Sequence, residues 1–151
     1  MNEHPNHRHT IAIAGIDTGV GKTCCAGLLA RHLLERFGSC STIKLVQTGC
    51  TGLAEDILLH RKLMGIPPTE EDTAHLSNPY VFKMPASPAL AASLEGQNIE
   101  EAKLDEAVCA MQTRFSWLLV EGAGGLLVPV NERLLLLDYF ARQSGDRYRT
   151  L

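Results

Sequence analysis

Gly15-Ile16-Asp17-Thr18-Gly19-Val20-Gly21-Lys22-Thr23, GIDTGVGKT in one-letter code, stands between the apolar run Thr10–Ala14 and a stretch of helical spacing. Strand, glycine-rich turn, lysine, hydroxyl and helix follow in the order that a phosphate group requires. Backbone N–H groups and a helix N-terminus surround the oxyanion, lysine adds a point charge, and the threonine hydroxyl can ligate Mg²⁺. The first glycine, Gly15, comes one place earlier than in the standard loop. This order predicts a nucleotide-binding α/β domain.

Working outward, the spacing of Thr23, Ala26, Leu29, Leu33, Leu34 and Phe37 predicts a helix that Gly38 stops. Thr42–Val46 reads as a second buried strand and Ala54–Met64 as a helix ended by Gly65 and Pro67-Pro68. Thr69–Lys83 reads as irregular. Ser87–Leu94 reads as a helix with Pro88 in its first turn, and Ile99–Phe115 as a longer one with Ile99, Ala102, Ala107, Ala110 and Met111 near one face. Trp117–Val120 is a third buried strand running into Glu121 and Gly122-Ala123-Gly124-Gly125, followed by a short extended piece, Leu126–Val130, and a last helix, Leu134–Arg142. Strands alternating with helices predict a P-loop NTPase-like parallel sheet covered on both faces. We expect a flexible tail over residues 1–9, one domain over 10–143 and a divergent tail over 144–151.

Composition narrows the functional classes. At 151 residues with 45% hydrophobic content the chain can bury one proper core. A formal charge of −3 gives no reason to expect nucleic acid or an anionic membrane as partner. No apolar run has the length of a membrane span, and MNEHPNHRHT lacks the apolar centre of a signal peptide. The five cysteines, Cys24, Cys25, Cys40, Cys50 and Cys109, show no CxxC pairing, which suits reduced thiols in a cytoplasmic protein. His4, His7 and His9 invite a metal, but we read them as part of a mobile polar N-terminal tail.

Ligands of open parallel sheets sit at the carboxyl ends of the strands, and there the chemistry collects. The first strand leads to Lys22 and Thr23, the second carries Lys44 with Thr48 just beyond, and the third ends in Glu121. A carboxylate at Glu121 can hold Mg²⁺ opposite Thr23, or simply close a strand end at the surface. Lys44, inside an apolar strand, points either toward anions or to solvent at a sheet edge. Asp56 serves either the first turn of its helix or the metal.

Together these residues resemble the dethiobiotin synthetase family. The phosphate loop is close to GTDTxVGKT, Lys44-Leu45-Val46-Gln47-Thr48-Gly49 is similar to a KPxxTG segment, Pro85–Ala92 is similar to a proline-rich helix start, and Val120–Gly125 reads VEGAGG. The resemblance runs from about Thr10 to Arg142. It implies a ligase of biotin biosynthesis that uses ATP, CO₂ or bicarbonate and 7,8-diaminononanoate, acting as a cytoplasmic homodimer. It implies nucleotide contacts at Gly19, Val20, Gly21, Lys22, Thr23, Cys24, Asp56, Glu121, Gly122, Ala123 and Gly124, with Mg²⁺ on Thr23, Asp56 and Glu121. It implies substrate contacts at Thr18, Lys44, Thr48 and Gly125, with Lys44 and Lys22 as the catalytic pair. Leu45 replaces a proline, Ile16 a threonine and Ala89 a histidine of the family pattern. After Gln143 the residues SGDRYRTL are polar where the family continues with another strand and its adenine-holding segments, so we expect a C-terminally shortened domain with an open apolar edge along Thr10–Ala14. Two other functions stay open: a folded remnant that binds phosphate without turnover, and a partitioning-type regulatory ATPase. The second lacks its early loop lysine, since Asp17 stands there.

Overall fold

The computed structural model describes residues 8–143 and 149–150. The first strand, β1 (His9–Ile13), leads through the phosphate loop into α1 (Lys22–Phe37), and Gly38 closes that helix in a left-handed conformation. Then follow β2 (Cys40–Lys44), β3 (Val46–Thr48), α2 (Glu55–Met64), α3 (Glu70–Thr73), β4 (Tyr80–Phe82), α4 (Pro88–Leu94), α5 (Glu101–Arg114) and β5 (Trp117–Glu121). A small hairpin, β6 (Pro129–Asn131) with β7 (Leu134–Leu135), precedes α6 (Leu136–Gln143) and β8 (Arg149–Thr150).

The main sheet is parallel in the order β2-β5-β1-β8. Alternation along each strand divides its side chains between two covering layers. Ile13 and Leu119 pack with Ala26, Ala30 and Leu33 of α1 and Met64 of α2. Ala12, Ile43, Leu118 and Val120 face the other way, onto Leu104, Val108 and Met111 of α5 and Leu136, Tyr139 and Phe140. Helices therefore cover both faces, as expected. Register aligns the functional ends: Glu121 lies opposite Ile13 on one side and Lys44 on the other. On α1, Gly27 lets α2 approach closely, because a Cβ there would lie 2.7 Å from a Leu63 methyl.

Several expectations need correction. The second strand stops at Lys44 because Ser77 accepts the Lys44 N–H (2.8 Å) and Asn78 donates to the Lys44 carbonyl (2.8 Å). Val46–Thr48 then pairs in parallel with Tyr80–Phe82 in a sheet of its own, so Thr69–Lys83 contains α3 and β4 and is not irregular throughout. Leu134 and Leu135 belong to β7, and the last helix begins at Leu136. On α5 the buried face is Leu104, Ala107, Val108 and Met111, with Ala102 exposed. The edge of β1 is not open throughout, since β8 pairs with it at Ile11↔Arg149 and Ala12↔Thr150. His9 begins β1 and stacks on Trp117 at 4.2 Å, so the N-terminal tail does not reach residue 9. His4, His7 and most of both expected tails lie outside the described residues.

Candidate active site

The loop between β1 and α1 folds around its own backbone. Gly19 and Gly21 take positive φ, 71° and 101°, where a Cβ would strain the turn. The Lys22 ammonium donates to the Asp17 carbonyl at 2.5 Å, and the Asp17 carboxylate accepts the Thr18 N–H at 2.7 Å. From the far side Leu126 donates its N–H to the Gly15 carbonyl (3.0 Å), and Gly125 presses its backbone against the Ile16 carbonyl with no room for a side chain. Burial, reinforced by the neighbouring Lys44 ammonium, lowers the Lys22 pKa, while Glu121, Asp17 and Asp56 oppose the shift. A phosphate at the loop would relieve that burden on the ammonium.

Beside the loop, cations and carboxylates from separate elements converge. Lys44, ending β2, lies 2.6 Å from Asp56 of α2 and 2.8 Å from Oε1 of Glu121, which ends β5. Its Nζ also donates to the Gly122 carbonyl at 3.2 Å. The Thr23 hydroxyl donates to the same Glu121 Oε1 at 2.9 Å. The other oxygen, Oε2, meets Nε2 of His60 at 2.8 Å, and Nδ1 of that ring meets the Thr42 hydroxyl at 2.9 Å. Burial pushes the Glu121 pKa up, but the His60 hydrogen bond and the Lys44 charge outweigh it and hold the carboxyl at about 2. Lys44 is therefore no solvent-facing edge lysine, although β2 is an edge strand. Asp56 both opens α2 and aims its carboxylate into the cluster.

Two cavities adjoin there. One, about 390 Å³, is walled by Thr18, Gly19, Gly21, Lys22, Thr23, Cys24, Lys44, Asp56, Leu59, Glu121 and Gly124. The other, about 420 Å³, is mainly apolar and walled by Thr48, Pro85, Ala86, Ser87, Pro88, Ala123 and Val128, and it shares Thr18 and Gly124 with the first. A further groove of about 490 Å³ near Asn98, Arg133 and Arg142 holds none of the expected residues, and geometry favours the smaller pair as the seat of chemistry.

Most of the expected site residues are thus brought together. Four are placed differently: Val20 projects outward half exposed, Gly122 contributes its carbonyl to Lys44, Ala123 lines the apolar cavity, and Gly125 serves as the packing contact behind the loop. His60 was missed. It stands one helical turn after Asp56, a spacing that puts both on one face of α2 and could have flagged it. The Thr23 hydroxyl meets Glu121, and Glu121 and Asp56 both meet the Lys44 ammonium. Three hard oxygen donors of the kind that suits Mg²⁺, with phosphate and water completing its shell, therefore lie beside the loop. Among the described residues no helix is long and apolar enough to cross a membrane, and all five cysteines are free.

A family model described as an AAA domain matches residues 9–144. The chain is similar to the ATP-dependent dethiobiotin synthetase BioD 2 of Pasteurella multocida, 47% identical over 87% of this chain and 62% of that protein. It is similar to the BioD 2 of Haemophilus influenzae, 46% identical over 85% of this chain and 68% of that protein. Against the BioD of Chlorobaculum tepidum it is 48% identical over 89% of this chain and 56% of the relative. The chain therefore spans between 56% and 68% of the length of these curated relatives.

Proposed function

We propose a function from family membership: the chain belongs to the ATP-dependent dethiobiotin synthetase family. On that premise it closes 7,8-diaminononanoate and CO₂ into dethiobiotin at the expense of ATP. One amine attacks CO₂ and loses a proton, giving a carbamate. A carbamate oxygen attacks the γ-phosphorus and ADP departs. The second amine then attacks the carbamoyl carbon, phosphate leaves, and loss of a proton completes the cyclic urea.

Carbamate and γ-phosphate are both anionic, so catalysis here is chiefly charge placement. Lys22 is assigned to the phosphates, together with the loop N–H groups from Gly19 to Cys24. Lys44 is assigned to the carbamate and the transferred phosphoryl group. Its 5% exposure and the carboxylates on either side hold its ammonium at the wall between loop and sheet. A magnesium ion on Thr23, Asp56 and Glu121 would supply further positive charge to the phosphate oxygens. Thr18 and Thr48 are assigned to the carbamate or amine end of the substrate. A homodimer in the cytoplasm completes the reading and follows from the family resemblance alone.

One observation carries this reading. A cavity walled by the phosphate loop and by charged side chains opens beside an apolar one, the two sharing Thr18 and Gly124. An NTPase that merely hydrolyses nucleotide has no need of the second cavity, whereas a diamine with an aliphatic chain does. The test is phosphate release from MgATP, with and without 7,8-diaminononanoate plus bicarbonate, with Lys22→Ala as control. Release that requires the diamine and vanishes in the variant supports the synthetase. Diamine-independent release would favour a regulatory ATPase, and a cooperatively folded protein without release would be a binding remnant.

A further inference from the structure

We propose that His60 is a positioning residue for Glu121: as the Nε2–H tautomer, fixed through Thr42 by Arg61, it ties down Oε2 and leaves Oε1 facing Thr23, Lys44 and the cavity. The tautomer follows from counting donors along a buried chain. Arg61 has only donors, and its Nη1 gives a proton to the Thr42 hydroxyl oxygen at 2.8 Å. Among the contacts of the described residues, the hydroxyl's own hydrogen then finds one acceptor, Nδ1 of His60, at 2.9 Å. With Nδ1 accepting, the ring proton sits on Nε2 and is donated to Glu121 Oε2 at 2.8 Å. A proton on Nδ1 would leave the Thr42 hydrogen with no acceptor at a position that is 0% exposed. Thr42, His60 and Arg61 are all at or below 1% exposure, so solvent cannot supply the missing partner.

The consequence is geometric. Glu121 ends a strand and could rotate about its terminal torsion, which is broad for a carboxylate. A donor fixed from below removes that freedom, as outer hydrogen bonds do for ligating carboxylates. Oε1 then keeps its contacts with Thr23 (2.9 Å) and Lys44 (2.8 Å) on the cavity side. His60 itself lines neither cavity and touches no reacting atom.

The metal arm of the test rests on Thr23, Asp56 and Glu121 holding the divalent ion. Mn²⁺ binding in the presence of ADP, followed by electron paramagnetic resonance, reads that ion without turnover. His60→Leu should weaken Mn²⁺ binding by roughly 10–100-fold. His60→Gln, whose side-chain amide also reaches Glu121, should recover most of the affinity. His60→Asn keeps a partner for Thr42 but falls short of Glu121, so it should behave like His60→Leu and replaces it if the leucine variant does not fold. Wild-type affinity in His60→Asn, or Gln no better than Asn, overturns the positioning role. Failure of the wild type itself to bind Mn²⁺ with ADP overturns the reading of the metal site instead. Nitrogen NMR of histidine-labelled wild-type protein tests the tautomer without any metal: a proton on Nε2 with Nδ1 accepting is expected, and a proton on Nδ1 refutes it.

Discussion

Adjacent residues of α2 anchor two buried charge clusters that end differently. Arg61 grips Asp72 with two parallel bonds, Nε to Oδ2 at 2.9 Å and Nη2 to Oδ1 at 2.7 Å. Ser77 and the Thr69 N–H satisfy the remaining lone pairs of Asp72, and the two side chains are 1% and 0% exposed. His60 leads instead to Glu121, Lys44 and Asp56, where Asp56 keeps 26% exposure and the ammonium forms part of a cavity wall. Both clusters use carboxylates, cations and the same Thr42 hydroxyl. The closed one has no valence left for a ligand and serves to pin Thr69–Asn78 against β2. The open one keeps its charges aimed at a space that phosphate can fill. Burial of charge is thus no marker of function; an unfilled direction is.

The severest break of this comparison is Asp72→Ala. It leaves the Arg61 guanidinium buried and unpaired, which costs about 3–5 kcal/mol of folding stability. Urea unfolding of the variant against wild type measures it. Lys44→Met attacks the open cluster and should cost less stability but lower turnover by about 10²–10³-fold. A Lys44 variant as unstable as Asp72→Ala, with turnover per folded molecule intact, would abolish the distinction between the clusters.

Acid sharpens it. Burial opposes ionisation of both carboxyls, yet the Arg61, Ser77 and Thr69 bonds lower the pKa of Asp72, and His60 with Lys44 lowers that of Glu121 from 4.5 to about 2. Because these folded-state values lie below the unfolded ones, the stability they contribute is fully present above the unfolded pKa. It is lost as pH falls through the folded pKa. For Glu121 the window runs from 4.5 down to about 2, and for Asp72 it opens below 3.8. The Glu121 share is about 3 kcal/mol at neutral pH. Lys44→Met brings its pKa back up, so circular dichroism should show acid unfolding at a higher pH than in wild type. An unmoved midpoint would mean that other carboxylates govern the acid limb.

Much of this arrangement was legible in the chain. GIDTGVGKT announces itself because glycines, lysine and threonine must occur in that order for a phosphate. Glu121 stands out as a charge at the end of an apolar run, which places it at the carboxyl edge of a parallel sheet, and Lys44 as a charge inside one. His60 was hidden because its meaning lies in partners far along the chain, and LLHRKLM reads as an ordinary amphipathic turn. The break after Lys44 was hidden for the same reason, since Ser77 and Asn78 create it from across the fold. Tyr80–Phe82 is too short to signal a strand until Val46–Thr48 offers it an edge. On α5 the expected face held at Ala107 and Met111, but Leu104 and Val108 complete it in place of Ala102, because the larger side chains bury more apolar area.

The mildest prediction concerns an ion pair outside both clusters. Arg142 of α6 reaches Glu101 of α5 through one nitrogen, Nη1, at 2.9 and 3.2 Å from the two carboxylate oxygens. Its shorter bond matches the longer of the two between Arg61 and Asp72. Its side chains, however, are 58% and 34% exposed. Water screens the attraction and holding two long side chains costs entropy, so such pairs are worth about 0–1 kcal/mol. Helix α6 is held instead by Leu136, Tyr139 and Phe140, each at most 3% exposed. Arg142→Ala should therefore shift the urea midpoint barely beyond error, and added salt should shrink the difference further. A loss approaching that of Asp72→Ala would show that hydrogen-bond distance, and not closure from water, decides what an ion pair contributes in this fold.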